Sequence, residues 1–266
     1  MICAGIDAGS RTIKMVLLDS DSGKVLGRGL SDQGVEQSSL AQSLFESILN
    51  ETGIVRDEVR RVVATGYGRN AVEFADTTIT EITCHARGVR HLAPATATIV
   101  DIGGEDSKLI RLDGNGKVRD FAMNDRCAAG TGRFLEVVAE RLATSLDDLG
   151  AMAARSRTPA AISSMCVVFA ETEIIGLLAA HTPREDIAAG VQAAIAARVA
   201  GMAGRKVTVP IVFTGGVALV SGMKGALESV LEQPVEIAPD PQMTGALGAA
   251  LLAANSLDHS PFLGVD

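Results

Sequence analysis

An α/β fold assembled from two copies of one unit is what the sequence predicts, and three observations carry that prediction. The stretch Gly5 to Asp19, with its turn Asp21-Ser22-Gly23, returns later as Val100 to Asp113 with its turn Gly114-Asn115-Gly116, an internal repeat that signals duplicated architecture. Apolar residues at helical spacing follow each copy, so strands and helices alternate along the chain. Finally, 47% of the 266 residues are apolar, enough to fill one large core or two of ordinary size.

Each copy of the repeat reads as an apolar strand reaching an aspartate, a glycine turn, a second strand, a hairpin turn and a third strand. Leu40 to Gly53 then predicts an amphipathic helix with Leu40, Leu44, Ile48 and Leu49 on one face. After the second copy, Thr131 to Leu142 predicts another, carrying Phe134, Leu135, Val138 and Leu142. Val168 to Ala180 and Ile187 to Ala203 also read as helices. Val207 to Thr214 is a β-branched run that stops at Gly215-Gly216, a buried strand feeding a glycine turn. Gly245 to Ala254 is a helix of small residues able to pack closely on a neighbour. The expected division is a first lobe over residues 1–95, to which a C-terminal helix at about 244–266 returns, and a second lobe over 96–243.

Charge and composition exclude some functions. There are 24 basic and 32 acidic residues, a net charge of −8, whereas nucleic-acid binding needs clustered Lys and Arg. One Tyr and no Trp leave little for base stacking. The start of the chain has no basic region and puts Asp7 inside its only apolar stretch, unlike a signal peptide. The alanine-rich run Ile187 to Gly201 carries Gln192 and Arg198 and is too short to span a bilayer. The expectation is a cytoplasmic protein with neither nucleic acid nor membrane as partner. In a reducing compartment Cys3, Cys84, Cys127 and Cys166 are not expected to form disulfides, and none makes a CxxC pair.

The glycine loops carry the chemistry. Asp7-Ala8-Gly9-Ser10 and Asp101-Ile102-Gly103-Gly104 set a carboxylate and successive amides at a strand end, a concavity suited to an anion. The aspartates suit magnesium held through water. Two such loops facing one another would clamp the phosphates of a nucleotide, with Thr214-Gly215-Gly216 at the adenosine end. Any one loop alone is equally a tight strand turn; the duplication favours the nucleotide. The commoner signatures are absent: Gly216 to Lys224 has the wrong spacing for a Walker A loop, and Gly130-Thr131-Gly132 lacks a third glycine in register for a dinucleotide fingerprint.

In these three loops the sequence resembles the actin, sugar-kinase and heat-shock ATPase superfamily. Asn124-Asp125-Arg126-Cys127-Ala128-Ala129-Gly130-Thr131-Gly132-Arg133-Phe134-Leu135 sharpens the resemblance to the ATP-dependent activators of 2-hydroxyacyl-CoA dehydratases, a family that includes the benzoyl-CoA reductase ATPase subunits. Thr65-Gly66-Tyr67-Gly68-Arg69-Asn70, Cys84-His85-Ala86-Arg87-Gly88, Ser163 to Glu171 around Cys166, and Gly245-Ala246-Leu247-Gly248 match as well, so the similarity covers nearly the whole chain.

The resemblance implies a two-lobed actin/hexokinase/heat-shock-type ATPase fold built from a duplicated ribonuclease-H-like unit. It implies ATP or ADP with Mg2+, Asp7 and Asp101 on the magnesium, and Ser10, Arg11, Thr12, Ile13, Lys14, Gly103, Gly104, Gly130, Gly132, Gly215, Gly216 and Gln242 on the nucleotide. It further implies a homodimer sharing one 4Fe–4S cluster, held by Cys127 and Cys166 of each subunit; each of these thiols precedes an expected helix, whose free amides suit an anionic sulfur. A ferredoxin or flavodoxin would supply electrons, and the client would be a 2-hydroxyacyl-CoA dehydratase, a benzoyl-CoA-type reductase or a double-cubane cluster protein. Cys3 reads as packing, and His85 as a structural residue. Two positions depart from the family: Glu105 stands where relatives carry Gln and could orient the attacking water or repel phosphate, and Arg11 replaces a small residue. The rival readings are a small-molecule kinase of the superfamily and a regulatory subunit with a structural cluster.

Overall fold

The computed structural model describes residues 1–163, 166–204 and 207–258, so the expected helical stretch beyond residue 258 and the pair 164–165 of the Cys166 segment lie outside the described residues. The chain divides into two units, Met1–Leu92 with the segment from Gln242 onward, and Ala93–Pro241.

The first unit holds strands β1 (Ile2–Ala8), β2 (Thr12–Asp19), β3 (Val25–Asp32), β4 (Val59–Thr65) and β5 (Thr77–Thr78), in the order β3-β2-β1-β4-β5. The second holds β6 (Thr98–Ile102), β7 (Ser107–Leu112), β8 (Val118–Asn124), β9 (Ile211–Thr214) and β10 (Val235–Ile237), in the order β8-β7-β6-β9-β10. The repeat therefore extends past its two hairpins to whole sheets with one topology. In each, the first strand pairs antiparallel with the hairpin and parallel with the fourth strand. Helical segments cover both faces of β1, Gln37–Thr52 packing on Ala4, Ile6 and Ala8 and Thr244–Asp258 on Cys3, and Cys3 to Ala8 are accordingly all buried. Cys3 lies inside β1.

Helices cover the sheets. In the first unit these are α1 (Gln37–Thr52), α2 (Glu81–Leu92) and, returning from the chain's end, α8 (Thr244–Asp258). The second unit has α3 (Gly132–Arg141), α4 (Leu146–Ala153), α5 (Val167–Ala179), α6 (Arg184–Ala203) and α7 (Met223–Leu231). Phe134, Leu135, Val138 and Leu142 are buried in the second unit's core, as their spacing predicts. The face of α1 differs from expectation: Ala41, Phe45, Ile48 and Leu49 are buried, while Leu40 and Leu44 lie at its edge. Phe45 takes the centre because its ring stacks on Phe74, with centroids 5.3 Å apart. The strand expected over Val207 to Thr214 is also corrected, since β9 begins only at Ile211. Pro210 has no N–H to give to a ladder.

The small residues of α8 let it approach its neighbours backbone to backbone. A Cβ on Gly88 of α2 would collide with the carbonyl oxygen of Thr244, one on Gly248 with that of Cys84, and one on Gly5 of β1 with that of Ala246. By contrast, Gly225 in α7 is exposed and a Cβ there meets nothing within 4 Å. Gly88→Ala should therefore lower stability by about 1–3 kcal/mol through overpacking. Gly225→Ala should raise it by roughly 0.5–1 kcal/mol. Urea unfolding of the two variants checks both signs; equal stability would mean that α8 and α2 can separate at little cost.

Candidate functional site

Both central strands end in the same set of side chains. In the first unit the antiparallel register sets Asp7 opposite Lys14, and the parallel register sets it beside Thr65. Asp7 is buried, and Lys14 Nζ lies 3.6 Å from its Oδ2. The loop that follows is closed by Gly9 N–H donating to Thr12 O at 3.0 Å and by Gln33 Nε2 donating to Gly9 O at 2.9 Å. Gly66, with φ +89°, presses against Asp7 so closely that a Cβ would strike its Oδ1.

The second unit repeats this part by part. Asp101 faces Lys108 across β7 and Thr214 across β9. Thr214 Oγ1 donates to Asp101 Oδ1 at 2.8 Å, and Lys108 Nζ lies 3.3 Å from Asp101 Oδ2 and 2.7 Å from Asp106 Oδ2. Gly103 N–H donates to Asp106 O at 3.0 Å, and Gly215 has φ +88°. The buried Lys108 and Asp101 pair with each other, and Asp106, half-buried, gives the ammonium a second partner toward solvent, because buried charge is retained only when paired. Sequence reasoning assigned Lys14, passed over Lys108, and named Thr65 and Thr214 only within their glycine turns, not as neighbours of the aspartates. The signal was available, since each lysine stands seven residues after its aspartate in the repeat.

The remaining expected nucleotide residues divide by exposure. Ser10 and Thr12 are half-buried and Arg11 is exposed, so their side chains are accessible. Ile13 is fully buried in the first unit's core, so only its backbone could reach a ligand. Glu105 is exposed at the tip of the second glycine loop. Gly215 N–H donates to Pro241 O at 2.9 Å, Gly216 opens a 3-10 turn, and Gln242 is half-buried. The Thr65–Arg69 turn rides on the first loop, with Gly68 N–H donating to Ala8 O at 2.8 Å, and it holds Tyr67 out with 80% of its surface exposed.

Behind Asp7 stand Cys84 and His85 of α2. Burial pushes the Cys84 thiol up to about 12, against a smaller lowering effect of the neighbouring Thr65 hydroxyl, and the nearby Asp7 carboxylate adds to the rise. Cys84 is thus a protonated packing residue. His85, also buried, has Nδ1 3.0 Å from Thr244 Oγ1, which links α2 to the start of α8.

Two cysteines are accessible. Cys127 is half-buried, and its loop is fixed by Asn124 Nδ2, which donates to Cys127 O at 2.9 Å and to Ala129 O at 3.3 Å. Gly130, with φ +97°, makes room for Arg198, whose Nη1 approaches Cys127 Sγ at 4.0 Å. The helix that follows begins on the second glycine loop: Gly132 N–H donates to Gly103 O and Arg133 N–H to Gly104 O, both at 2.8 Å. Helix amides in the first turn have no partner of their own, and here loop carbonyls supply two. Cys166 is exposed at the N-cap of α5, and Val168, Phe169 and Ile175 of that helix are exposed too. The stretch leading to Cys166 is anchored on α6 by Asp186, which accepts from Ser156 Oγ and from the amides of Arg157 and Thr158. Those bonds hold its carboxyl below the usual carboxylate range.

The four cysteines divide by exposure. Cys127 and Cys166 are accessible and Cys3 and Cys84 are sealed in the core. Among the described residues no three His, Cys, Asp or Glu side chains gather as a metal-holding group. No helix among the described residues is long and apolar enough to cross a membrane.

Similarity to known proteins agrees with this geometry. The chain is 41% identical over 261 residues to the 2-hydroxyisocaproyl-CoA dehydratase activator of Clostridioides difficile, covering 98% of this chain and 97% of the relative. It is 42% identical over 251 residues to the (R)-2-hydroxyglutaryl-CoA dehydratase activating ATPase of Acidaminococcus fermentans, covering 94% and 95%. The crystallised activator of the 2-hydroxyisocaproyl-CoA dehydratase from Clostridium difficile, with bound ADPNP, superposes with a TM-score of 0.91 at 40% identity, over 98% of this chain and 97% of that one. The duplicated α/β fold is that of the actin- and hexokinase-type ATPases. With the family model matching residues 4–253, the chain belongs to the BadF/BadG/BcrA/BcrD ATPase family.

Proposed function

We propose that the chain is the ATP-driven activating component of an iron–sulfur enzyme system. It would hydrolyse magnesium-ATP and pass single electrons from a ferredoxin or flavodoxin to a 2-hydroxyacyl-CoA dehydratase or a related CoA-ester reductase. One observation carries the reading: the glycine loop after Asp101 is hydrogen-bonded, through Gly103 O and Gly104 O, to the first amides of the helix that follows the Cys127 segment. A response to phosphate at that loop has a direct mechanical route to the thiol.

The residues then take distinct roles. Asp7 and Asp101 would hold magnesium through its water shell. Lys14, flexible and paired with one carboxylate at 3.6 Å, would reach the phosphates together with Ser10, Thr12 and the amides of Gly9, Gly103 and Gly104. Glu105, exposed at the loop tip, would orient the attacking water. Gly215, Gly216 and Gln242 would face the adenosine. Cys127 and Cys166 of two copies of the chain would make up the four thiolates of a 4Fe–4S cluster, which supplies a one-electron store when bound. Arg198 would stabilise charge beside Cys127. A small-molecule kinase would share the nucleotide residues but gives no reason for two accessible thiols, each ahead of a helix.

The test is anaerobic purification followed by iron analysis and reduction of a partner dehydratase. Cys127→Ser should lose most of the iron while nucleotide binding persists; full iron content in that variant would refute the shared ligand set. Air or chelator should remove the cluster and weaken the dimer, read by light scattering. A chain that stays monomeric while keeping its iron would contradict the bridge. Nucleotide should also change the rate at which a chelator strips iron, compared with and without magnesium and a non-hydrolysable ATP analogue. Asp101→Asn should abolish that difference. Identical stripping rates in the unaltered protein would mean that the two sites are uncoupled.

A further inference from the structure

The two repeat lysines are not equivalent. Lys14 has 15% of its side chain exposed and one carboxylate at 3.6 Å. Lys108 has 3% exposed and two carboxylates, Asp106 at 2.7 Å and Asp101 at 3.3 Å. Lys14 can swing toward a phosphate, because it gives up one long contact in a partly wet site. Lys108 cannot do so without leaving the buried Asp101 carboxylate, and the half-buried Asp106 beside it, without their counter-ion. Its ammonium sits inside the turn that runs from Asp101 to Lys108. That turn is so tight that a Cβ on Gly103 would lie 2.7 Å from Asp106 Oδ1. The outer side of the same turn presents the carbonyls of Gly103 and Gly104 to α3.

We infer that Lys108 is a positioning residue for ATP hydrolysis: its ammonium ties Asp106 to Asp101, fixes the shape of the glycine turn, and thereby aims both Asp101 inward and the Gly103 and Gly104 carbonyls outward. The duplication has thus split one role in two, with Lys14 left to touch phosphate and Lys108 kept as an internal counter-ion. Asp101 is held at both oxygens, by Thr214 at Oδ1 and Lys108 at Oδ2, so a metal would meet it through water. The inference rests on the nucleotide reading above for its kinetic consequences and on the second unit's geometry alone for its structural ones.

The experiment compares Lys108→Met, the double variant Lys108→Met/Asp106→Asn, Lys14→Met and the unaltered protein. The double variant removes the ammonium together with the Asp106 charge and leaves Asp101 with its Thr214 hydrogen bond, whereas the single variant leaves two carboxylates side by side without a counter-ion. In either Lys108 variant, kcat for magnesium-ATP should fall by on the order of tenfold to a hundredfold, the cost of a misaimed group. KM should stay within about threefold, because no phosphate contact is lost. Lys14→Met should do the reverse and raise KM. Hydrogen exchange at the amides of Gly132 and Arg133 should quicken about tenfold or more in the Lys108 variants. Exchange in β1 should stay unchanged.

A rise in KM without loss of kcat would make Lys108 a phosphate ligand and overturn the inference. A double variant with unaltered kcat would reduce Lys108 to charge balance, and unchanged exchange at Gly132 and Arg133 would remove its grip on the turn; either overturns it. An unaltered protein that neither binds nor hydrolyses magnesium-ATP would instead refute the nucleotide reading, and amide exchange would then decide on Lys108 alone.

Discussion

Everything chemical in this protein hangs on register at the end of a central strand. A strand paired antiparallel on one side and parallel on the other can set one residue against two others at once. Here the residue is an aspartate, the antiparallel neighbour a lysine and the parallel neighbour a threonine. A slip of one residue would turn the carboxylate to the other face of the sheet and part it from both. The apolar burial of β1 and β6 on both faces fixes that register, so core packing and site geometry are one constraint.

The glycines after each fourth strand follow from it. Gly66 and Gly215 take nearly the same positive φ, +89° and +88°, and each lies against the aspartate segment of its own unit. A side chain would be strained there and would also displace the carboxylate. What looks in the sequence like a plain strand–turn ending is a backing plate for the acid.

How much of this is legible without coordinates depends on the length of the signal. The hairpins read directly, because turn residues at Gly23 and Gly116 punctuate alternating apolar runs. The long helices α1, α3, α5 and α6 read from their periodicity. The eight-residue α4 and nine-residue α7 span too few turns for a period to emerge, although Ser145, which accepts from Asp148 N–H, marks the start of α4. α2 is hidden by its arginines, histidines and Gly88, which interrupt the apolar pattern although Gly88 lies against the start of α8. At the site, the carboxylates and glycines stand out by type, whereas Thr65 and Thr214 do not. A threonine closing a β-branched strand is unremarkable until a parallel partner sets it beside an acid.

The turn that carries Tyr67 gives the molecule an optical character. With one tyrosine, no tryptophan and only the weakly emitting ring of phenylalanine besides, the polypeptide has a single phenol as its strong ultraviolet emitter. That phenol stands in solvent on a turn bonded to Ala8, next along the chain from Asp7. The protein thus has one phenol fluorophore, sited at the edge of its first glycine loop and not in its core. Selective excitation of that ring reports on the loop edge, and because the phenol already meets solvent, unfolding changes its water contact far less than it would for a buried ring.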